Sequence, residues 1–260
     1  DTDRSRGLGD VYKRQVLLLQ PVEWYHYIAN LINPAHRLPD LKVAEMYGEV
    51  ADYTKAGNWR DFLLGNVTLG QKASFLWAVN AGRFVQTAGL FLLGFFIGRK
   101  QLFMTNEKNI VFWTKVLIIS AISFAPLYTL KELVMENDPI VQQTVGTAFD
   151  MWQKLAFTLV LVASFILLYQ HKNFSKAVAG LRFYGKMSLT NYISQSIIGA
   201  FIYFPIGLNL APYCGYTLSL SVGFLIFLLQ LKFCKWWLAR HKQGPLEYIW
   251  HKCTWIGTGK

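Results

Sequence analysis

Apolar residues gather into five long runs, at residues 78–98, 110–130, 148–170, 188–208 and 216–238, with polar connectors between them. A helix of about 20 apolar residues spans a hydrocarbon core of about 30 Å. The pattern therefore predicts an all-α integral membrane fold: five complete transmembrane helices with interfacial amphipathic helices beside them, as a fragment of a larger helical bundle. In residues 43–53, Val43, Met46, Tyr47, Val50 and Tyr53 follow helical spacing, with Glu45, Glu49 and Asp52 on the other face. After Gly244-Pro245, the residues Leu246, Ile249, Trp250 and Cys253 repeat in the same way, which reads as a short helix lying on the inner leaflet. Glu247 falls in its first turn, where the helix dipole favours a carboxylate.

The same pattern divides the chain. Residues 1–15 are polar and charged and read as a non-native leader. Residues 16–83 read as the end of a truncated membrane helix, whose Val-Leu-Leu-Leu run stops at Pro21, followed by an extracytoplasmic interfacial region rich in Trp and Tyr. Residues 84–240 form the polytopic membrane domain, and 241–260 the cytoplasmic amphipathic tail. So divided, the chain reads as the C-terminal part of a longer protein.

Composition supports the choice of solvent: 53% of residues are hydrophobic and only 16% charged, against about 25% charged in a soluble domain. A net charge of +11 would raise nucleic acid as a partner, but its placement argues otherwise. Arg99, Lys100, Lys108 and Lys115 follow the first run; Lys172, Lys176, Arg182 and Lys186 follow the third; Lys232, Lys235, Arg240, Lys242 and Lys252 follow the fifth. The connectors between them carry mainly Glu132, Glu136 and Asp138, or no charge. This positive-inside alternation places the C-terminus in the cytoplasm and makes the lipid bilayer, not nucleic acid, the partner. Cys214, Cys234 and Cys253 show no paired spacing, and the five histidines form no metal-binding pattern.

Polar residues inside the runs are the candidates for chemistry, because hydrocarbon offers them no water. Arg83 and Gln86 stand one turn apart at the outer end of the first run, as a candidate anion-binding pair. Asp150 and Lys154 are spaced for a structural ion pair. In the fourth run, Ser188, Asn191, Tyr192 and Gln195 fall on one face at 100° per residue. That candidate polar face must meet another helix or a wet cavity. Arg182 and Lys186 stand beside it as further anion-binding candidates, at the cytoplasmic mouth.

The segment Tyr184-Gly185-Lys186-Met187-Ser188-Leu189-Thr190-Asn191-Tyr192, with Gln195-Ser196, Trp236-Trp237 and residues 241–250, resembles the C-terminal region of the YeiB-type family of bacterial inner-membrane proteins, domain of unknown function 418. The likeness extends back through Gly82-Arg83-Phe84 to Gly98-Arg99. It implies a multi-pass protein of the bacterial cytoplasmic membrane, grouped with membrane acyltransferases that move an acyl group from a cytoplasmic donor to an extracytoplasmic or lipid-linked acceptor. Acyl-CoA is then the donor substrate and a carbohydrate or lipid the acceptor, with no bound cofactor. The family's Asp-x-x-Arg-Gly element and the essential histidine of related acyltransferases have no counterpart here. Acyl transfer needs a general base, and no histidine lies within a run, so the fragment alone reads as catalytically incomplete. The alternatives are a small-molecule transporter and a non-catalytic membrane structural or assembly protein. The sequence fixes no oligomeric state.

Overall fold

A computed structural model describes residues 15–36, 38, 42–55 and 57–256, so the expected leader lies outside the described residues apart from Gln15. Among these residues helices are the only regular secondary structure, joined by turns and irregular connectors. A 3-10 turn, Gln15–Leu19, precedes α1 (Pro21–Ile32), α2 (Val43–Lys55), α3 (Trp59–Gly65), α4 (Gln71–Asn80), α5 (Arg83–Arg99) and α6 (Glu107–Met135). Then follow α7 (Pro139–Tyr169), α8 (Lys172–Val178), α9 (Leu181–Lys186), α10 (Ser188–Tyr203), α11 (Tyr216–Leu238) and α12 (Pro245–Thr254).

Three helices, α6, α7 and α11, are long and apolar enough to cross a membrane, which makes this an all-helical membrane protein. Only 11%, 17% and 11% of their most apolar windows are buried by protein; apolar surface on that scale needs lipid or further helices to cover it. The expected five spans are thus too many. The first run is interrupted: Gly82 takes a left-handed conformation (φ 59) and the chain bends by 74° between the helix ending at Asn80 and α5. Counted as one broken span, that pair raises the total to four at most. The fourth run stops early, because Phe204 precedes Pro205 and adopts an extended backbone (φ −89, ψ 157); a residue before proline is pushed out of the helical region. The 16 residues of α10 therefore reach only about 24 Å at 1.5 Å per residue.

Two compact units result. The first comprises Asp1–Val43 and Lys72–Lys172, the second Ala44–Gln71 and Asn173–Lys260. In the first, α6 and α7 form a helical hairpin. Asn106 caps α6 by accepting from the Asn109 amide at 2.8 Å, Phe124 meets Phe157 at 5.7 Å between centroids, and Gly146 admits Met135 and Val134 to the backbone of α7. The fully buried Trp113 stacks on Phe103 and donates its indole N–H to the Leu102 carbonyl at 2.8 Å, fixing the α5–α6 connector. The 3-10 turn lies along α5, with Leu18 over Gly89, and Trp152 of α7 donates to the Leu18 carbonyl at 2.8 Å. In the second unit α10 meets α12, α9 meets α11, and Phe62 of α3 meets Phe204 at 5.6 Å.

Candidate functional site

The second unit gathers its polar side chains where α9, α10 and α11 converge. Tyr184 stands on α9, Asn191, Ser194 and Gln195 at i, i+3 and i+4 on α10, and Gln230 and Cys234 four apart on α11. Helical periodicity thus turns each group toward the others. The Tyr184 hydroxyl donates to Gln230 Oε1 at 3.0 Å and accepts from Gln195 Nε2 at 2.6 Å. Gln195 Nε2 also reaches Gln230 Oε1 at 3.0 Å, while Gln230 Nε2 donates to Ser194 Oγ at 2.9 Å and to the Asn191 carbonyl at 3.3 Å. Asn191 Nδ2 donates to the Tyr184 carbonyl at 3.0 Å, and its amide meets the Cys234 sulfur at 3.3 Å. Asn191 is 2% exposed, Gln230 6% and Cys234 not at all. Every side-chain polar atom of Asn191 and Gln230 has a partner, as burial away from water demands. Burial pushes the Tyr184 phenol above its ordinary range, with the nearby Cys234 adding to the effect.

The four residues of the expected polar face do not act together. Asn191 and Gln195 join the network; Ser188 and Tyr192 are exposed, Tyr192 at 71%. The arc of α10 that meets α11 is centred on Asn191, and Tyr192 stands about 100° around the helix from it. Arg182 and Lys186 are exposed on α9, the helix that carries Tyr184. Sequence reasoning missed Gln230 and Tyr184 as members. A lone glutamine in an apolar run was the available signal for Gln230.

A second cluster ties α12 to the start of α10. Glu247 accepts from the Thr190 amide at 3.0 Å and from the Thr190 hydroxyl at 2.5 Å, and that hydroxyl in turn accepts from the Leu246 amide at 3.2 Å. The glutamate thereby serves the first turn of α10, whose amides have no intrahelical acceptor. Burial alone would push the Glu247 carboxyl up. The hydrogen bonds from Thr190, with those from its own and the Leu189 backbone, outweigh it and hold the group below its ordinary value.

In the first unit, Arg83 donates from Nη1 to Gln86 Oε1 at 2.9 Å and lies 5.3 Å from the centre of the Trp77 ring. Its Nε is buried and has no hydrogen-bond partner among the described residues. Asp150 accepts from Lys154 at 2.5 Å, and Lys131 of α6 approaches the same carboxylate at 3.6 Å, so the pair is a triad across the hairpin. Glu23 of α1 is 6% exposed, and burial raises its carboxyl above the ordinary value against the lowering effect of a backbone hydrogen bond. His26 Nδ1 and His36 Nε2 stand 3.2 Å apart. Among the described residues no three His, Cys, Asp or Glu side chains converge as a metal site would require.

A family model described as "Protein of unknown function (DUF418)" matches residues 97–257, which takes in the whole Tyr184–Gln230 network and the Glu247–Thr190 clamp but not Arg83. Over 91 residues the chain is 37% identical to a Bacillus acidopullulyticus protein described as "Uncharacterized 39.9 kDa protein in amylase 3'region", covering 34% of this chain and 25% of that one. Over 95 residues it is 25% identical to "Uncharacterized protein YxaH" of Bacillus subtilis (strain 168), covering 36% of this chain and 24% of that one. The chain thus spans about a quarter of the length of these relatives. No solved structure matches it.

Proposed function

The chain belongs to the DUF418 family, and from that premise we propose a YeiB-type protein of the bacterial cytoplasmic membrane that transfers an acyl group from acyl-CoA to an extracytoplasmic or lipid-linked acceptor. The observation that carries this reading is the open edge of the α9–α10–α11 network. Gln195 is exposed while its Nε2 is held by Tyr184 and Gln230, and the exposed cations Arg182 and Lys186 stand on the adjoining helix. The exposed cations suit the phosphates of an acyl carrier, and the fixed Gln195 side chain leaves its Oε1 to accept from the hydroxyl or amine of an acceptor. The alternating charge of the connectors supports a cytoplasmic C-terminus, and the Glu247–Thr190 clamp holds the start of α10 beside α12, which puts α9 and its cations on the side where acyl-CoA is found.

A structural reading has its own support, since Asn191 and Gln230 are fully satisfied within the protein and need no ligand. Interhelical hydrogen bonds in membranes contribute about 0.6–2 kcal/mol each. The test is acyl-CoA consumption by the full-length protein in liposomes, compared across Gln195→Ala and Gln230→Leu. On the acyl-transfer reading Gln195→Ala abolishes turnover with little change in unfolding midpoint. Equal turnover in wild type and Gln195→Ala, with Gln230→Leu lowering stability by about 2 kcal/mol, would leave only the structural role.

A further inference from the structure

The hairpin of the first unit carries a groove on the side where α6 begins and α7 ends. The cavity measures about 570 Å³ and is walled by Phe103 of the α5–α6 connector and by Leu161, Phe165 and Tyr169 of α7, with Thr105 and Gln170 at its polar end. That volume is ordinary for a ligand site. Its walls are held in place by the hairpin itself. Phe103 stacks on the buried Trp113 at 5.8 Å between centroids, and Asn109 Nδ2 donates to the Gln101 and Met104 carbonyls at 3.0 and 2.8 Å. Phe165 stacks on Tyr169 at 6.1 Å. Even so, Phe103 stays 58% exposed and Leu161 55%. Apolar surface that is fixed in shape and left uncovered by protein is a place for an apolar partner.

Length and charge say which partner fits. From Leu161 to Gln170 the helix advances about 14 Å at 1.5 Å per residue, roughly half of the 30 Å hydrocarbon core and so the depth of one leaflet. A covering transmembrane helix would call for a groove running the full core, whereas a lipid chain needs only this half. The polar end is also basic. Arg99, Lys100 and Lys108 flank the connector and Lys172 stands two residues beyond Gln170, all exposed, with Glu107 the single acid between residues 99 and 115. Basic pockets at the ends of membrane helices favour anionic headgroups.

We propose that this groove binds one anionic phospholipid, with an acyl chain against Phe103, Leu161 and Phe165 and its phosphate at Thr105, beside Lys108 and Lys172. The Thr105 hydroxyl donates to a phosphate oxygen, and the lysines supply charge as flexible point cations. The site goes beyond the acyl-transfer reading and stands whether or not the chain transfers acyl groups.

The full chain is purified in detergent, mixed with equal amounts of phosphatidylglycerol and phosphatidylcholine bearing the same acyl chains, and examined by native mass spectrometry. One phosphatidylglycerol is retained in preference to phosphatidylcholine. Lys108→Gln and Lys172→Gln each lower that preference by about fivefold, the effect of one basic residue near an anionic lipid. Lys242→Gln removes the same charge from the second unit and leaves the preference unchanged. Val162 also lines the groove, and Val162→Trp, which fills it, displaces both lipids. The lysine variants change only exposed side chains and keep the wild-type unfolding midpoint, so they decide the matter even where Val162→Trp fails to fold. Equal retention of the two lipids, or an equal loss from Lys242→Gln, shows unspecific attraction and overturns the proposal. Retention of neither gives the groove to a covering helix and overturns it as well.

Discussion

Single residues decide where the apolar runs of this chain stop being helices. Gly82 is held at φ 59, and a Cβ there would land on the Glu23 carboxylate. Gly82→Ala combines left-handed strain with a steric collision, and is expected to destabilise the first unit by about 1–3 kcal/mol. Gly215→Ala serves as its control, since nothing stands within 4 Å of the Cβ position and its φ is −69. Unfolding midpoints in detergent check the difference, and equal midpoints would remove the steric account. Pairs within one helix were legible from spacing alone: Arg83 to Gln86, and Asp150 to Lys154. Lys131, which joins the second pair at 3.6 Å, was not, because only the folding back of α6 onto α7 brings it there.

At the level of elements, the sequence announced the long apolar helices and the amphipathic α2 and α12, but not their lengths or partners, and it left α1, α3, α4, α8 and α9 unannounced. Phe204-Pro205 ends α10 after 16 residues, and the Gly82 break divides the first run, so mean hydropathy over a window overstated both. Of the α10 face expected to be polar, Asn191 and Gln195 join the network while Ser188 and Tyr192 do not, because the inward arc is set by Gln230, which lies 39 residues beyond Asn191. The clamp between α12 and α10 was equally hidden, since Glu247 reads from sequence as an acid serving its own helix. In the structure it serves another, which makes a pH prediction. Its folded carboxyl is held below the ordinary 4.5, so its contribution is complete above that value and is lost as pH falls from 4.5 through the lowered folded value. The wild-type unfolding midpoint should decline across that acid range more steeply than that of Glu247→Gln. Parallel curves would show that the clamp does not depend on the charge.

For the whole molecule, the decisive property is apolar surface that protein does not cover. α6, α7 and α11 are hydrophobic all round, the signature of helices surrounded by lipid or by further helices. The alternation of basic and acidic connectors then predicts opposite sides for the two ends of α11. Cys214 lies just before that helix and the exposed Cys253 well after it. In sealed, right-side-out vesicles an impermeant maleimide is expected to label Cys214 and to spare Cys253 until the membrane is opened. The reverse pattern would invert the topology. Such an orientation can be predicted from sequence because it follows from local Lys and Arg bias and needs no tertiary contact.

The clamp on Thr190 also carries a consequence for biosynthesis. Glu247 follows its partner by 57 residues, so at about 5–20 residues per second the ribosome emits it roughly three to eleven seconds after the threonine. During that interval α11 enters the bilayer with the leading turn of α10 still without its glutamate. The start of α10 is therefore secured only when α12 arrives.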